Sequence, residues 1–472
     1  MRKGLPFLAG VAFMAMAVSG CASSSAMPRY GGSVPRAEVL RQGDTISVRY
    51  AFDRDAPVWV FADSALTSEH RQPWRPDQWT VLTPNVVMER AGHYDILRAT
   101  DGGFVPRNVE IAVRPKSVDL EAEYPTLKFS NGAVALPTRQ MTVFPVSGVK
   151  QAAALPADLN NVERTVAPTQ VLWRDEAGPV LYAGERRAQL ITQFERSYVL
   201  LGQADVTQDD GLTAVIDPAL PAWISETLAE AAPATGRWYR QRLGAADNAQ
   251  QPVLMASWNG PAERMTSMGG SVLPGLLVMN FEGRGIVEPN DEIRERALWF
   301  VAHEAAHFWL GQTVRYEYAR EAWITEGGAD LMAVRALQAM RPDYDPKPEL
   351  QREIDDCVRL GAKPLSSAGE RGEHRAYYAC GAVFAMAAEA AQRRKTGGDY
   401  LDYVRETLRR NPDGVVGTDE WIQQFIDAGG SLEIASLMVD MLSKGSANPA
   451  ATVEAILGDV GVTRVDGRVV LR

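Results

Sequence analysis

The chain has 472 residues, 46% of them hydrophobic, and a formal net charge of -10. That length leaves room for two or three domains with sizeable cores. An acidic balance without a dense Lys/Arg cluster argues against a nucleic-acid partner. Beyond the N-terminus no segment approaches the run of about eighteen uninterrupted apolar residues that a membrane-spanning helix needs.

Met1-Arg2-Lys3 is a positively charged start, and Leu5 to Val18 is mostly apolar but too short to cross a bilayer comfortably. It ends at Val18-Ser19-Gly20-Cys21, which resembles a bacterial lipoprotein lipobox. The resemblance implies removal of residues 1–20 and acylation of Cys21. With Ala22 next instead of Asp, it also implies sorting to the outer membrane, facing the periplasm. A plain secreted protein cleaved nearby is the alternative; either way the chain leaves the cytoplasm. Residues 21–36 are rich in Ser, Ala, Gly and Pro and read as a tether.

From 37 to 215 apolar residues alternate with polar ones, as at Ile46, Val48, Tyr50 and again at Val109, Ile111, Val113, and prolines and glycines punctuate the runs. A period of two with frequent breakers predicts an all-β domain. A composition change near Ile216, before Asp217-Pro218-Ala219-Leu220-Pro221, marks the start of a second domain over 216–385. Within it we expect a helix from Ala222, disturbed at Pro233 and Gly236, and then a strand at Val253–Trp258.

A helix starting at Asn290-Asp291 carries Ile293, Ala297, Leu298, Val301 and Ala305 at helical spacing into His303-Glu304-Ala305-Ala306-His307, with Gly311 near its end. Residues four apart share a face, so His303 and His307 can present imidazole nitrogens to one metal ion. Eighteen residues after His307, Glu326 falls in the first turns of a second helix, predicted over Ala322 to Met340, that stops before Pro342. Two histidines and a glutamate make three zinc ligands with a fourth position open for water, the pattern of a catalytic site holding one zinc ion. Glu304, beside the first ligand, is then placed to accept that water's proton. The bland reading, in which the histidines are ordinary helix residues and Glu326-Gly327-Gly328 is a helix-loop junction, would need residue types, spacing and helical context to coincide by chance.

Val301-Ala302-His303-Glu304-Ala305-Ala306-His307-Phe308-Trp309-Leu310-Gly311 and Trp323-Ile324-Thr325-Glu326-Gly327 resemble the V-x-H-E-x-x-H-x-W-x-G and W-L-x-E-G motifs of gluzincin metallopeptidases of the aminopeptidase N and glycyl aminopeptidase type. The resemblance covers about 265–385 and implies a thermolysin-like mixed α/β zinc peptidase domain. It also implies a transition-state tyrosine. Tyr378-Ala379-Cys380-Gly381-Ala382 is similar to the family's Y-x-K-G-A, with Cys380 in place of the lysine, and Tyr377 competes with Tyr378 for the role. The family's glutamate in G-x-M-E-N, which grips a substrate's free amine, has no counterpart in Gly269-Gly270-Ser271-Val272-Leu273-Pro274-Gly275. That stretch with Leu276–Met279 reads either as an exposed edge, where Gly269, Gly270 and Ser271 would pair with a substrate backbone, or as an ordinary buried strand. Asp330, four residues after Glu326, resembles the aspartate of the E-x-x-x-D pair that orients a zinc-ligand histidine in thermolysin-like gluzincins, or is a surface residue. His374 reads as a solvated loop residue or a substrate contact.

If Cys21 is lipidated, Cys357 and Cys380 remain as an even pair in an oxidising compartment. A disulfide between them would close a loop around Lys363 to Arg375, and two inert thiols are the alternative. After 385 the chain reads as mainly helical, with segments at Tyr400 to Leu408 and Trp421 to Ile426 and a last strand at Val469–Leu471 that would rejoin a sheet. The fold expected is therefore α+β and multidomain: an N-terminal all-β domain, a zinc peptidase domain, and C-terminal helices over 386–472. Two functions fit. One is a membrane-anchored zinc metallopeptidase, an aminopeptidase or an endopeptidase, acting on a peptide or protein substrate. The other is a weak or inactive lipoprotein of the same fold that binds or scaffolds.

Overall fold

The computed structural model describes residues 34–472 except 122, 158, 160–167, 210–211, 247–251 and 263–266, and 34–472 cluster as one unit. The signal segment, Cys21 and most of the tether lie outside the described residues.

The period-two segments do form strands. Arg36–Gln42 pairs antiparallel with Thr45–Ala51 and parallel with Gln170–Asp175, inside a six-stranded sheet that also takes in Asn108–Val113. Ile46, Val48, Val109 and Ile111 are at most 2% exposed, so the alternation is that of a sheet with one face in a core. Further sheets of four and five strands complete this β-rich part.

A mixed sheet follows, in the spatial order Thr207–Asp209, Leu212–Ile216, Val253–Trp258, Leu276–Glu282, Ser267–Leu273. Its first strand precedes residue 216 and its second ends there, so the sheet that backs the metal site begins slightly earlier in the chain than the composition change. The expected edge divides in two: the glycine-rich Ser267–Leu273 lies at the sheet's edge, whereas Leu276–Glu282 is interior, paired on both sides. Buried Asp217 ties the two parts together, since its carboxylate accepts from the backbone N–H groups of Ser130 (2.9 Å) and Trp258 (3.2 Å).

The helix over Ala222–Leu243 runs unbroken through Pro233 and Gly236, contrary to the disturbance expected there. Pro233 is buried in it, so packing outweighs the hydrogen bond proline cannot donate. The last strand joins a sheet, but a small one: among the described residues Arg468–Leu471 pairs only with Val462–Val465, through a two-residue turn at Asp466-Gly467 that closes a local hairpin. Helices at Lys347–Leu360, Arg375–Thr396, Tyr400–Arg410, Thr418–Asp427 and Leu432–Ser443 fill the C-terminal part. They share one apolar core with the two helices of the metal motif. The molecule is thus mixed α/β with several sheets and C-terminal helices.

Candidate metal centre

The first helix spans Asp291–Ala306 and is started by Asn290, whose side chain accepts from Ile293 N at 3.0 Å. Its alanines at 302, 305 and 306 are buried. They let neighbouring helices approach, and Tyr239 donates its hydroxyl to Ala302 O at 3.0 Å. His307 is the residue that ends this helix, with φ -66° and ψ -14°, so it keeps helical backbone angles and still lies on the face of His303. The second helix, Trp323–Met340, places Glu326 in its first turn.

His303, His307 and Glu326 converge. The two Nε2 atoms are 3.1 Å apart, and Glu326 Oε2 lies 3.3 Å from His307 Nε2 and 3.7 Å from His303 Nε2. Donors about 2.0–2.1 Å from a tetrahedral zinc are separated by about 3.4 Å, so the set fits that ion. The outer nitrogens support the fit. His307 Nδ1 is 2.8 Å from Leu310 O, and a carbonyl can only accept, so the proton sits on Nδ1 and the Nε2 lone pair faces its partners. His303 Nδ1 is 2.8 Å from Asp330 Oδ1, so a carboxylate stands behind that ring and leaves Nε2 on the side of Glu326. Two imidazole nitrogens and a carboxylate oxygen that converge on one spot are a donor set suited to a cation.

Asp330 is 2% exposed, which rules out the surface reading, and Arg375 faces its second oxygen at 3.5 Å. Arg375 also pairs with Glu353 at 2.6 Å and Asp356 at 2.8 Å. Sequence reading missed this arginine, although it stands one turn before Tyr378 on the same helix. Glu304 is buried beside the ligands. Burial pushes its carboxyl above the usual glutamate value, against the pull of His303 and His307, which makes it a better proton acceptor than a solvated glutamate.

The helix Arg375–Thr396 distinguishes the two tyrosines. Tyr378 stacks on His303, ring centroids 5.9 Å apart. Tyr377 turns away, its hydroxyl accepting from Gly369 N at 3.1 Å. Burial and the carboxylates of Glu326, Glu304 and Asp330 hold the Tyr378 hydroxyl well above its ordinary pKa, so it stays a proton donor. His374 is exposed at the start of this helix, as a loop residue would be. Cys357 and Cys380 are joined by a disulfide that ties this helix to Lys347–Leu360, the helix of Glu353 and Asp356.

Gly269 and Gly270 have a packing reason to be glycine. A Cβ at Gly269 would meet Asn280 Oδ1 at 2.7 Å, and one at Gly270 would meet the Phe300 ring at 2.4 Å. They lie with Ser271 on the edge strand, and Gly270 is exposed. Tyr124, from the β-rich part, donates to Val272 O at 3.4 Å, and Gln312 donates to Leu273 O at 3.0 Å. Tyr124 and Val272 are 148 positions apart, so no local pattern announces that contact.

No family model and no curated protein sequence matches the chain. Solved structures do match. The chain is similar to an aminopeptidase N family protein from Idiomarina loihiensis at 11% identity, with a TM-score of 0.60, over 91% of this chain and 79% of that one. It is also similar to a variant of an M1 zinc metallopeptidase from Deinococcus radiodurans solved with a Tyr-Ser-Ala substrate, at 14% identity and a TM-score of 0.46, over 88% and 94% of the two chains. The first of these shows that the chain has the fold of an aminopeptidase N family protein.

Proposed function

We propose that the chain is a zinc-dependent peptidase of the aminopeptidase N type that hydrolyses peptide bonds, anchored in the bacterial cell envelope through Cys21. The observation that carries the hydrolytic reading is the convergence of His303, His307 and Glu326 beside a buried Glu304 that takes no part in the ligand set. The shared fold supports it. The anchor rests on the sequence around Cys21, and no described helix is long and apolar enough to cross a membrane.

A zinc ion bound by these three residues would supply a polarised water of lowered pKa and a Lewis acid for the scissile carbonyl. The chain does the rest. Glu304 takes the proton of the attacking water and delivers it to the leaving nitrogen. Tyr378, kept protonated, donates a hydrogen bond to the carbonyl oxygen as charge develops on it. The exposed edge at Gly269 to Ser271 pairs with the substrate backbone and holds the peptide in line. Tyr378→Phe should therefore lower kcat by about 10²–10³ while leaving KM nearly unchanged, because the lost bond matters most in the transition state. Steady-state kinetics on one cleaved peptide checks this, and an unchanged kcat removes Tyr378 from the mechanism.

The function itself is tested with a mixed peptide library. We expect cleavage that a chelator abolishes and zinc restores, and the new termini in the products tell exopeptidase from endopeptidase. Full zinc occupancy with no cleavage would instead support the binding or scaffold reading.

A further inference from the structure

At the end of the edge strand a cavity of about 290 Å³ opens between the β-rich part and the mixed sheet. Its lining includes Leu273, the last residue of the edge strand, Tyr124, which bonds to that strand, and Asp63, Glu123, Arg139 and Arg196. The cavity thus lies at the end of the edge strand, with Tyr124 joining its wall to Val272 of that strand. A peptide lying along Ser267–Leu273 and leaving it at Leu273 runs into this space.

The charges there are unequally committed. Arg139 is occupied by Asp63, at 3.0 Å. Glu123 is pushed up to about 7 by burial and by the neighbouring Asp63, so it carries only part of a charge near neutral pH. Arg196 is exposed and has no ion-pair or hydrogen-bond partner among the described residues. Among the described residues, the charge left without an ion-pair partner in the cavity is therefore the Arg196 guanidinium, a planar donor fork suited to a carboxylate.

Resting on the peptidase reading above, we propose that Arg196 is a specificity-determining residue that binds a substrate carboxylate, either an acidic side chain or the C-terminus of a short peptide. The substrates are then acidic peptides, or short peptides whose terminus reaches the cavity. Arg196 touches no reacting atom in this scheme.

Calorimetric titration of the full-length zinc-loaded Glu304→Gln protein with unlabelled peptides tests this without turnover. Three sets are compared: neutral peptides with amidated C-termini, the same peptides with free C-termini, and amidated peptides carrying one Asp or Glu at successive positions. We expect at least one carboxylate-bearing set to bind about tenfold or more tighter than the neutral amidated set, the scale of one hydrogen bond to a charged group. Which set gains tells side chain from terminus. Arg196→Ala should erase the gain, and Arg196→Lys should keep part of it. Equal affinities for all three sets, or a gain that survives Arg196→Ala, would overturn the proposal. An Arg196-dependent gain in a protein whose unsubstituted form cleaves nothing would uphold it while removing the peptidase reading.

Discussion

Glu304→Gln should leave the protein folded and able to bind zinc, yet lower kcat for peptide hydrolysis by about 10²–10⁴, the contribution of a positioned proton acceptor. Glutamine has the volume of glutamate, so the 7% exposed position stays filled and no cavity opens. The ligands His303, His307 and Glu326 and the outer contacts at Leu310 and Asp330 are untouched, so the metal set persists. What disappears is the proton-accepting oxygen: an amide cannot take the water's proton near neutral pH. Zinc content by atomic absorption, measured with kcat on the same sample, separates chemistry from assembly. Loss of metal together with activity would make Glu304 a structural residue, and a retained rate would exclude it as the base.

The second large effect is expected at two residues that carry no side chain at all. The helices Trp323–Met340 and Arg375–Thr396 cross at Gly327 and Gly381. A Cβ on Gly381 would sit 2.2 Å from Trp323 O, and one on Gly327 would sit 2.1 Å from Gly381 C. These are backbone atoms, so no side-chain rotation relieves the clash and the helices must separate. Gly381→Ala should therefore destabilise the protein by about 1–3 kcal/mol, the usual cost of overpacking, despite alanine's better helix propensity. It should also lower kcat, because one helix carries Glu326 and the other Tyr378. Thermal unfolding and steady-state kinetics check the two effects. A variant as stable and active as the unsubstituted chain would mean that the crossing tolerates a side chain and does not set the position of Tyr378.

The crossing also shows where sequence reading stops. His303, His307 and Glu326 are legible because the chemistry is written in short-range spacing: four residues on one helix, then the first turn of the next. The Asn290 cap and the alternation at Ile46, Val48 and Tyr50 are equally local. Partners fixed by tertiary contact were not visible. Whether a strand lies at an edge depends on its neighbours in the sheet, so Ser267–Leu273 and Leu276–Glu282 could not be told apart by composition. Pro233 sits inside a helix because the surrounding core holds it there. Tyr124 reaches the edge strand, and Arg196 the cavity at its end, from the β-rich part, over separations that no motif spans. The close approach at Gly381 was hidden inside a motif whose lysine position is filled by Cys380.

The central claim is that one zinc ion, held by His303, His307 and Glu326, makes this chain a peptidase. Metal-depleted protein titrated with zinc, while hydrolysis of a cleaved library peptide is followed, tests it most directly. Activity should rise with added zinc and level off at one equivalent per chain, with no rise in a His307→Ala protein. Saturation with zinc without hydrolysis, or hydrolysis that persists in the metal-free chain, would contradict the claim.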